Sequence, residues 1–424
     1  MTVKIPYGRA ERELCLANEV NAKVIECRLD SYKADCSEEE AVRRSLMDPI
    51  GSEKLSELSK DRKHIVVIAS DHTRPVPSRI IMPAMLEEIR KGNPDAEITI
   101  LIATGCHRAT TREELIAKFG EETVAKEKIV IHDCADEENL VNIGTLPSGG
   151  ALKINRLAAE ADLLVSEGFI EPHFFAGFSG GRKSVLPGIA SRETVYWNHN
   201  AEFIHDENSR AGILEGNPIH KDMIFAAKAA KLSFICNVVI NSEHKIIGAF
   251  SGDVEKAHAA GCDFLRGLCE STTVPADVVI STNNGYPLDQ NLYQAVKGMS
   301  TAEAACKDGG TIIICAACAD GLGGDAFAKH FMNDKSPAQI LKEFEMVEKK
   351  DTPADQWQSQ VFARILVNHR IVAVTELDDD TIRKMKMIPA HSIEEALAIA
   401  GFDRDKRSEK TLTVIPQGIS AIIR

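Results

Sequence analysis

Hallmarks of several protein classes are missing from this 424-residue sequence. No apolar run is long enough to span a membrane. The longest, such as "TIIICAACA" at 311–319, reach about half of the ~20 residues that a spanning helix needs. The opening "MTVKIPYGRAERELC" has no apolar h-region, so no secretory signal is expected. An excess of positive charge is also missing. The formal net charge of −13 argues against a nucleic-acid or anionic-membrane partner, and an anionic substrate therefore needs Arg and Lys placed locally. None of the 13 histidines forms an H-E-x-x-H or another short ligand spacing, so a metal site requires partners gathered by the fold. "CAAC" at 315–318 is a single C-x-x-C without a second pair, which excludes a zinc ribbon and reads as buried strand cysteine. Eleven cysteines without regular spacing point to reduced thiols in a cytoplasmic chain. No internal repeat or low-complexity segment occurs.

What is present is the composition of a globular protein, 44% hydrophobic and 27% charged, at a length that suggests two domains. Short apolar strands alternate with polar loops and helical stretches. Strands are expected at 64–70, 98–104, 128–133 and 161–167, and again at 276–282, 311–317 and 370–376. Near-continuous Val/Ile runs between helices indicate parallel strands covered on both faces. "LSFICNVVINSEHKIIGAFSGD" reads instead as an antiparallel hairpin turning at "NSEHK". The expected architecture is two α/β domains with mainly parallel sheets, residues 1–273 and 274–424, with a site in the cleft between them.

The polar residues sit at strand ends. "SDHTRP" follows the first strand, "TGCHR" the second, and "EGFIEPHFFAGFSGGRKS" the fourth. "NNGYPLDQNLYQAVKG" follows the first strand of the second half. Open α/β sheets bind ligands outside the carboxyl ends of their strands. Four such loops carrying Asp, His, Arg, Lys and Gln make one site assembled from both domains.

Taken singly, the motifs are open to two interpretations. "GFSGGRKS" approaches the P-loop pattern, but Arg182 replaces its second glycine and "VLPG" interrupts the helix that should follow. The alternatives are a solvated glycine turn or a lysine, Lys183, activated by Arg182 and His173 nearby. His107, His173 and His199 lie in loops or at element ends, where a lone histidine is usually a surface or hydrogen-bonding residue. His72, His132 and His205 carry less weight still. Asp71 and Arg74 share a tight turn before Pro75, either as an Asx-type cap or as an anion fork with Asp71 orienting Arg74. Gln294 and Lys297, beside Tyr293, share one helical face that is either plain solvent or anion-facing.

Together, "SDHTRPVP", "ATGCHR", "EGFIEPHFFAGFSGGRKSVLPGIAS", "NHN", "GYPLDQNLYQAVKGM" and "PADQWQSQVFARILV" resemble the lactate racemase family in the same order over essentially the whole chain. The resemblance implies a nickel-pincer nucleotide, the nickel complex of a pyridinium-3,5-bisthiocarboxylate mononucleotide, attached covalently at Lys183. It implies His199 as the protein ligand to nickel and His107 and His173 as an acid/base pair. Arg74, Gln294 and Lys297 match substrate contacts. Asp71, His72, Thr73 and Arg74 match a cofactor-contacting turn, and Trp357 an aromatic near the site. Proteins that synthesise the cofactor and insert nickel are the implied partners.

The chemistry is consistent with that implication. The Cα–H of a 2-hydroxy carboxylate is very weakly acidic, because its loss as a proton puts a second charge beside the carboxylate. Its removal as hydride needs an acceptor, while a base takes the hydroxyl proton. Two enantiomers call for two bases, and Arg74 with Lys297 would hold the carboxylate. Lactate is the favoured substrate. Tyr196 and Trp197, bulky residues just before His199, leave malate or another 2-hydroxy acid as the alternative, alongside a nickel-nucleotide carrier without turnover and a P-loop kinase or ATPase.

Overall fold

The computed structural model describes residues 1–405 and 409–424. It contains two six-stranded sheets. The first runs in the order Ile246–Gly252, Leu232–Ile240, Leu163–Phe169, His64–Ser70, Glu97–Ala103 and Lys128–Ile131. All neighbours are parallel except Ile246–Gly252, which pairs antiparallel with Leu232–Ile240 as the expected hairpin. The second sheet is wholly parallel: Ile388–Ala390, Arg370–Val374, Cys306–Cys315, Ala276–Thr282, Leu412–Ile415 and Ala22–Val24.

Helices cover both sheets, so their central strands are almost wholly buried. Every residue of Leu163–Phe169 is buried, including Ser166 and Glu167. Each large aliphatic side chain removed from water in this way contributes about 1.5–3 kcal/mol, and this anchors the strand ends from which the site loops spring. Cys315 and Cys318 are buried at the end of a second-sheet strand, which agrees with reading "CAAC" as core. Among the described residues no helix is long and apolar enough to cross a membrane.

The division at residue 273 misses one feature of sheet membership. The hairpin of Thr2–Tyr7 and Ala10–Cys15 packs Val3, Ile5 and Leu14 against Val278, Ile280 and Ile313 of the second sheet. Ala22–Val24 then pairs with Leu412–Val414. These segments are short and alternating, and their partners lie from 264 to 390 residues away, beyond the reach of local pattern. A further hairpin, Leu140–Thr145 with Ala151–Asn155, was likewise not anticipated.

Candidate active site

Four strand ends converge on one site. After His64–Ser70 the chain turns through Asp71–Arg74. Buried Asp71 is 1% exposed and accepts from Thr73 N–H (3.1 Å) and Thr73 Oγ1 (2.6 Å) on Oδ1. Its Oδ2 lies 2.8 Å from His107 Nδ1, on the turn after Glu97–Ala103. Burial would raise the Asp71 pKa, but hydrogen bonds from His107 and Thr73, with Arg74 nearby, hold it at about 2. An ionised Asp71 can only accept, so the proton of neutral His107 sits on Nδ1 and Nε2 keeps its lone pair. His72, the neighbour of Asp71, faces Thr110 Oγ1 (3.1 Å) and Glu114 instead.

The loop after Leu163–Phe169 is folded back on itself. Pro172–His173 pairs antiparallel with Gly177–Phe178, and Lys183 follows in a single 3-10 turn, Gly181–Ser184. Gly180 and Gly181 have φ of +74° and +53°, and a Cβ on Gly180 would meet Phe169 O at 2.8 Å. The loop is held by Arg182, which is 0% exposed and donates to Phe178 O (2.7 Å) and Ala176 O (2.6 Å). Asn237 Oδ1 accepts from Gly181 N–H at 2.7 Å, and His258 Nε2 lies 2.8 Å from Ser179 O. Arg182 is therefore an internal clamp, and Lys183, the next residue, is the side chain presented to the site. Glu171, Arg182, Asn237 and His258 were not singled out as site residues by sequence. An arginine beside the lysine of a glycine-rich loop was the one available signal.

Burial, then the cations Arg182, Arg74 and Lys297, push the Lys183 pKa far below its usual value, which favours the nucleophilic neutral form of its amine. Lys297 lies in the first turns of the Leu292–Ala305 helix, which the Asn291 side chain caps by accepting from Gln294 N–H (3.0 Å). Close packing of that helix needs Gly298, where a Cβ would meet Thr282 O at 2.2 Å. Burial and Arg74 lower Lys297 to about 8. Among the described residues Arg74, Lys183 and Lys297 form no salt bridge. The acid in their field is half-buried Glu171, whose pKa burial raises although these three basic residues oppose the rise. A chain of net charge −13 thus builds a local cationic site, as an anionic ligand requires.

His173 lies among these cations, with its pKa driven well down by burial, Lys183 and Lys297. Its Nδ1 accepts from Ala176 N–H (3.2 Å), which puts the neutral proton on Nε2. His199 ends the Arg192–Asn198 helix and stands edge-on between Phe175 (centroids 5.1 Å apart) and Trp357 (5.3 Å). Burial and Lys183 bring its pKa to about 3, and its Nδ1 is buried without a hydrogen-bond partner. Tyr196 also leans on Trp357, with centroids 5.6 Å apart. Trp197 does not face the site: its Nε1 donates to Ser148 Oγ (3.0 Å), and its ring fills the space a Cβ on Gly150 would take. Asp71, Thr73, Arg74, His107, His173, Lys183, His199, Lys297 and Trp357 are thus linked by contact or mutual field. Gln294 is placed on the same helix as Lys297, and His72 turns aside.

Fold and site together define a two-sheet α/β protein with a cationic, histidine-lined site fed by both sheets. Residues 7–212 match the family described as lactate racemase N-terminal domain, and residues 271–423 match the lactate racemase C-terminal domain. The chain is 52% identical over 423 residues to a lactate racemase of Thermoanaerobacterium thermosaccharolyticum, covering 100% of this chain and 99% of that one. It is 49% identical over 425 residues to a lactate racemase of Lactiplantibacillus plantarum, with 100% of each chain covered. The solved structure of the lactate racemase apoprotein from T. thermosaccharolyticum superposes with a TM-score of 0.95 at 51% identity over 100% of both chains. A Thermotoga maritima structure, at 19% identity and a TM-score of 0.66, covers 93% of this chain and all of its own and shares the fold. The chain belongs to the lactate racemase family and is an isomerase.

Proposed function

We propose that the protein interconverts the enantiomers of lactate using a nickel-pincer nucleotide bound at Lys183 and His199. The observation that carries this reading is the set of three cations without salt bridges around His173, flanked by the unpartnered ring nitrogen of His199. The residues suit the group. Lys183 offers an amine whose nucleophilic neutral form burial favours, and His199 a neutral imidazole, a good nickel ligand. Among the described residues no cluster of three or more His, Cys, Asp or Glu could hold a metal, so the remaining ligands must come from the organic group. When bound, that group supplies the acceptor for the hydrogen that leaves the carbinol carbon.

The chain's residues do the rest. Arg74 and Lys297 hold the substrate carboxylate, and Lys297 does so only while protonated. His107, fixed by Asp71, receives the hydroxyl proton of one enantiomer at Nε2. His173 addresses the oxygen on the other side. As a neutral Nε2–H ring it donates a hydrogen bond there, and it delivers a proton only after taking a second one. The surrounding cations oppose that charge, whereas a bound carboxylate favours it. The 2-oxo acid stays enclosed between the two histidines until its other face is presented. Tyr196 against Trp357 favours a small side chain, so lactate fits better than malate.

Intact-mass and nickel analysis of protein co-expressed with cofactor-synthesis and nickel-insertion proteins tests the reading, with lactate racemisation followed in parallel. An adduct with one nickel per chain and turnover is expected. Turnover by a chain that carries neither would refute it.

A further inference from the structure

We propose that Glu167 is a positioning residue that, together with Lys118, holds the Asp71–Arg74 turn in its working shape. That turn is weakly held by its own backbone. Arg74 N–H donates to Asp71 O over 3.3 Å, and Pro75 and Pro77 have no N–H to give. Its shape therefore depends on side chains from other elements.

Glu167 supplies the first of them. It is 3% exposed, on the central strand Leu163–Phe169. Its Oε1 accepts from Ser78 Oγ (2.8 Å) and from Ser70 N–H (3.4 Å). Ser70 is the last residue before the turn, and Ser78 opens the Ser78–Gly92 helix beyond it. One carboxyl oxygen thus ties both ends of the loop that carries Asp71 and Arg74. The N-cap of that 15-residue helix is Pro77, which makes no side-chain cap bond, so Glu167 also places an acid at the helix's positive end. Its Oε2 is buried without a hydrogen-bond partner, and burial raises its pKa against the opposing effects of Lys118, Ser78 and Ser70. Oε1 accepts in either protonation state. An apolar side chain would fill this place without leaving a polar atom stranded, so packing alone does not account for a glutamate here. Its grip on the loop does.

Lys118 supplies the second. It is half-buried on the Arg112–Phe119 helix, and its Nζ donates to Arg74 O (3.0 Å). That helix is anchored at both ends. Arg79, next to Ser78, donates from Nε to Ala117 O (2.9 Å) and from Nη2 to Ile116 O (3.0 Å). In its first turn Glu114 accepts from Nη1 of Arg108, the neighbour of His107, at 2.9 Å. The helix that leaves the His107 turn therefore returns to hold Arg74, and Asp71 closes the circuit through its 2.8 Å contact with His107. Both residues act through the turn, Glu167 on Asp71 and Arg74 together and Lys118 on Arg74 alone. Loss of the first should disturb proton transfer and carboxylate binding, and loss of the second binding only.

The test combines lactate kinetics of full-length, cofactor-loaded variants with hydrogen–deuterium exchange of the full-length, cofactor-free chain. Glu167→Leu should lose on the order of 10²-fold in kcat/KM, the usual cost of about 1 Å misplacement, with kcat lowered and KM raised. Glu167→Gln, whose amide oxygen can take both donors, should recover most of that loss. Lys118→Met should raise KM on the order of tenfold with kcat nearly unchanged, and Lys118→Arg should restore it. In exchange, Glu167→Leu should speed the amides of residues 70–78 and leave the second sheet unchanged. Ser78→Ala removes the donor of the 2.8 Å contact and should give the same local change, which keeps the test decisive if Glu167→Leu does not fold. Unchanged exchange at 70–78, exchange raised across both sheets, or a Glu167→Gln variant no better than Glu167→Leu would each overturn the proposal. The kinetic arm rests on the roles proposed for Asp71 and Arg74, whereas the exchange arm does not. Faster exchange at 70–78 with unaltered kcat and KM would refute those roles, and with them the inference, while leaving the grip on the turn in place.

Discussion

Replacing Asp71 with asparagine tests the acid/base arrangement with little change of shape. Asp71 Oδ1 already accepts two hydrogen bonds from Thr73, so the amide oxygen of the Asp71→Asn variant would stay there and its NH₂ would face His107 Nδ1. A donor opposite Nδ1 forces the neutral ring to carry its proton on Nε2, which removes the lone pair that receives the hydroxyl proton. Losing a placed general base costs on the order of 10²- to 10⁴-fold in kcat, while KM should change little because Arg74 and Lys297 are untouched. The stability cost follows from the same contacts. A fall from 3.8 to about 2 corresponds to about 2.4 kcal/mol favouring the folded state. Because the folded pKa is the lower one, this contribution is complete above pH ~4 and fades as pH falls through about 2. Urea unfolding of wild type and variant should therefore differ by roughly 2 kcal/mol at pH 7, with a smaller gap near pH 3. A variant within tenfold of the wild-type kcat would refute the assigned tautomer and the role of His107 as a base.

Lys183→Ala should fold normally and carry no adduct, and an intact mass that still includes the nucleotide would refute attachment there. His199→Ala should lose nickel while keeping the Lys183 adduct, and one nickel per chain in that variant would exclude His199 as the ligand. Arg182→Met strands the Phe178 and Ala176 carbonyls, each costing about 1–3 kcal/mol, so the urea midpoint should fall sharply; an unchanged midpoint would show that the clamp is unnecessary. With Lys297 at about 8, the cation proposed to hold the carboxylate is lost as pH rises through that value. The kcat/KM should therefore decline above pH ~8, and Lys297→Arg should flatten that limb. A wild-type profile flat to pH ~9.5 would contradict the assignment.

The strands that carry the site were legible because they are nearly unbroken Val/Ile runs. "HIVVIAS" and "ADVVIST" fall on strands with the expected limits. Asp71, His107, His173 and Lys183 stood out because polar residues at strand ends mark where ligands bind in such sheets. Arg182 was visible but not interpretable. A guanidinium next to a lysine looks solvated until the carbonyls around it are known, and those come from residues 176 and 178 bent back in space. Glu171 was hidden for a similar reason, since its surroundings are Arg74 from another loop, Lys297 from a helix of the second sheet, and Lys183 twelve residues on in its own loop. Trp197 was misleading: its bulk next to the histidine suggested the pocket, yet the turn of about 100° between successive helical residues puts it on Gly150.

The pairing of Ala22–Val24 with Leu412–Val414 also governs how the molecule is made and moves. The whole first sheet is inserted between two strands of the second, Ala22–Val24 and Ala276–Thr282. On the ribosome, the first sheet can close while the Ala22–Val24 edge waits for a partner translated some 390 residues later. Two chain crossings rather than one then connect the sheets, through residues 25–37 and 272–275. A body tethered twice turns most freely about the line joining its tethers. Any opening of the site is thereby steered into a single rocking motion, in which Lys297 approaches or leaves Arg74 along one path.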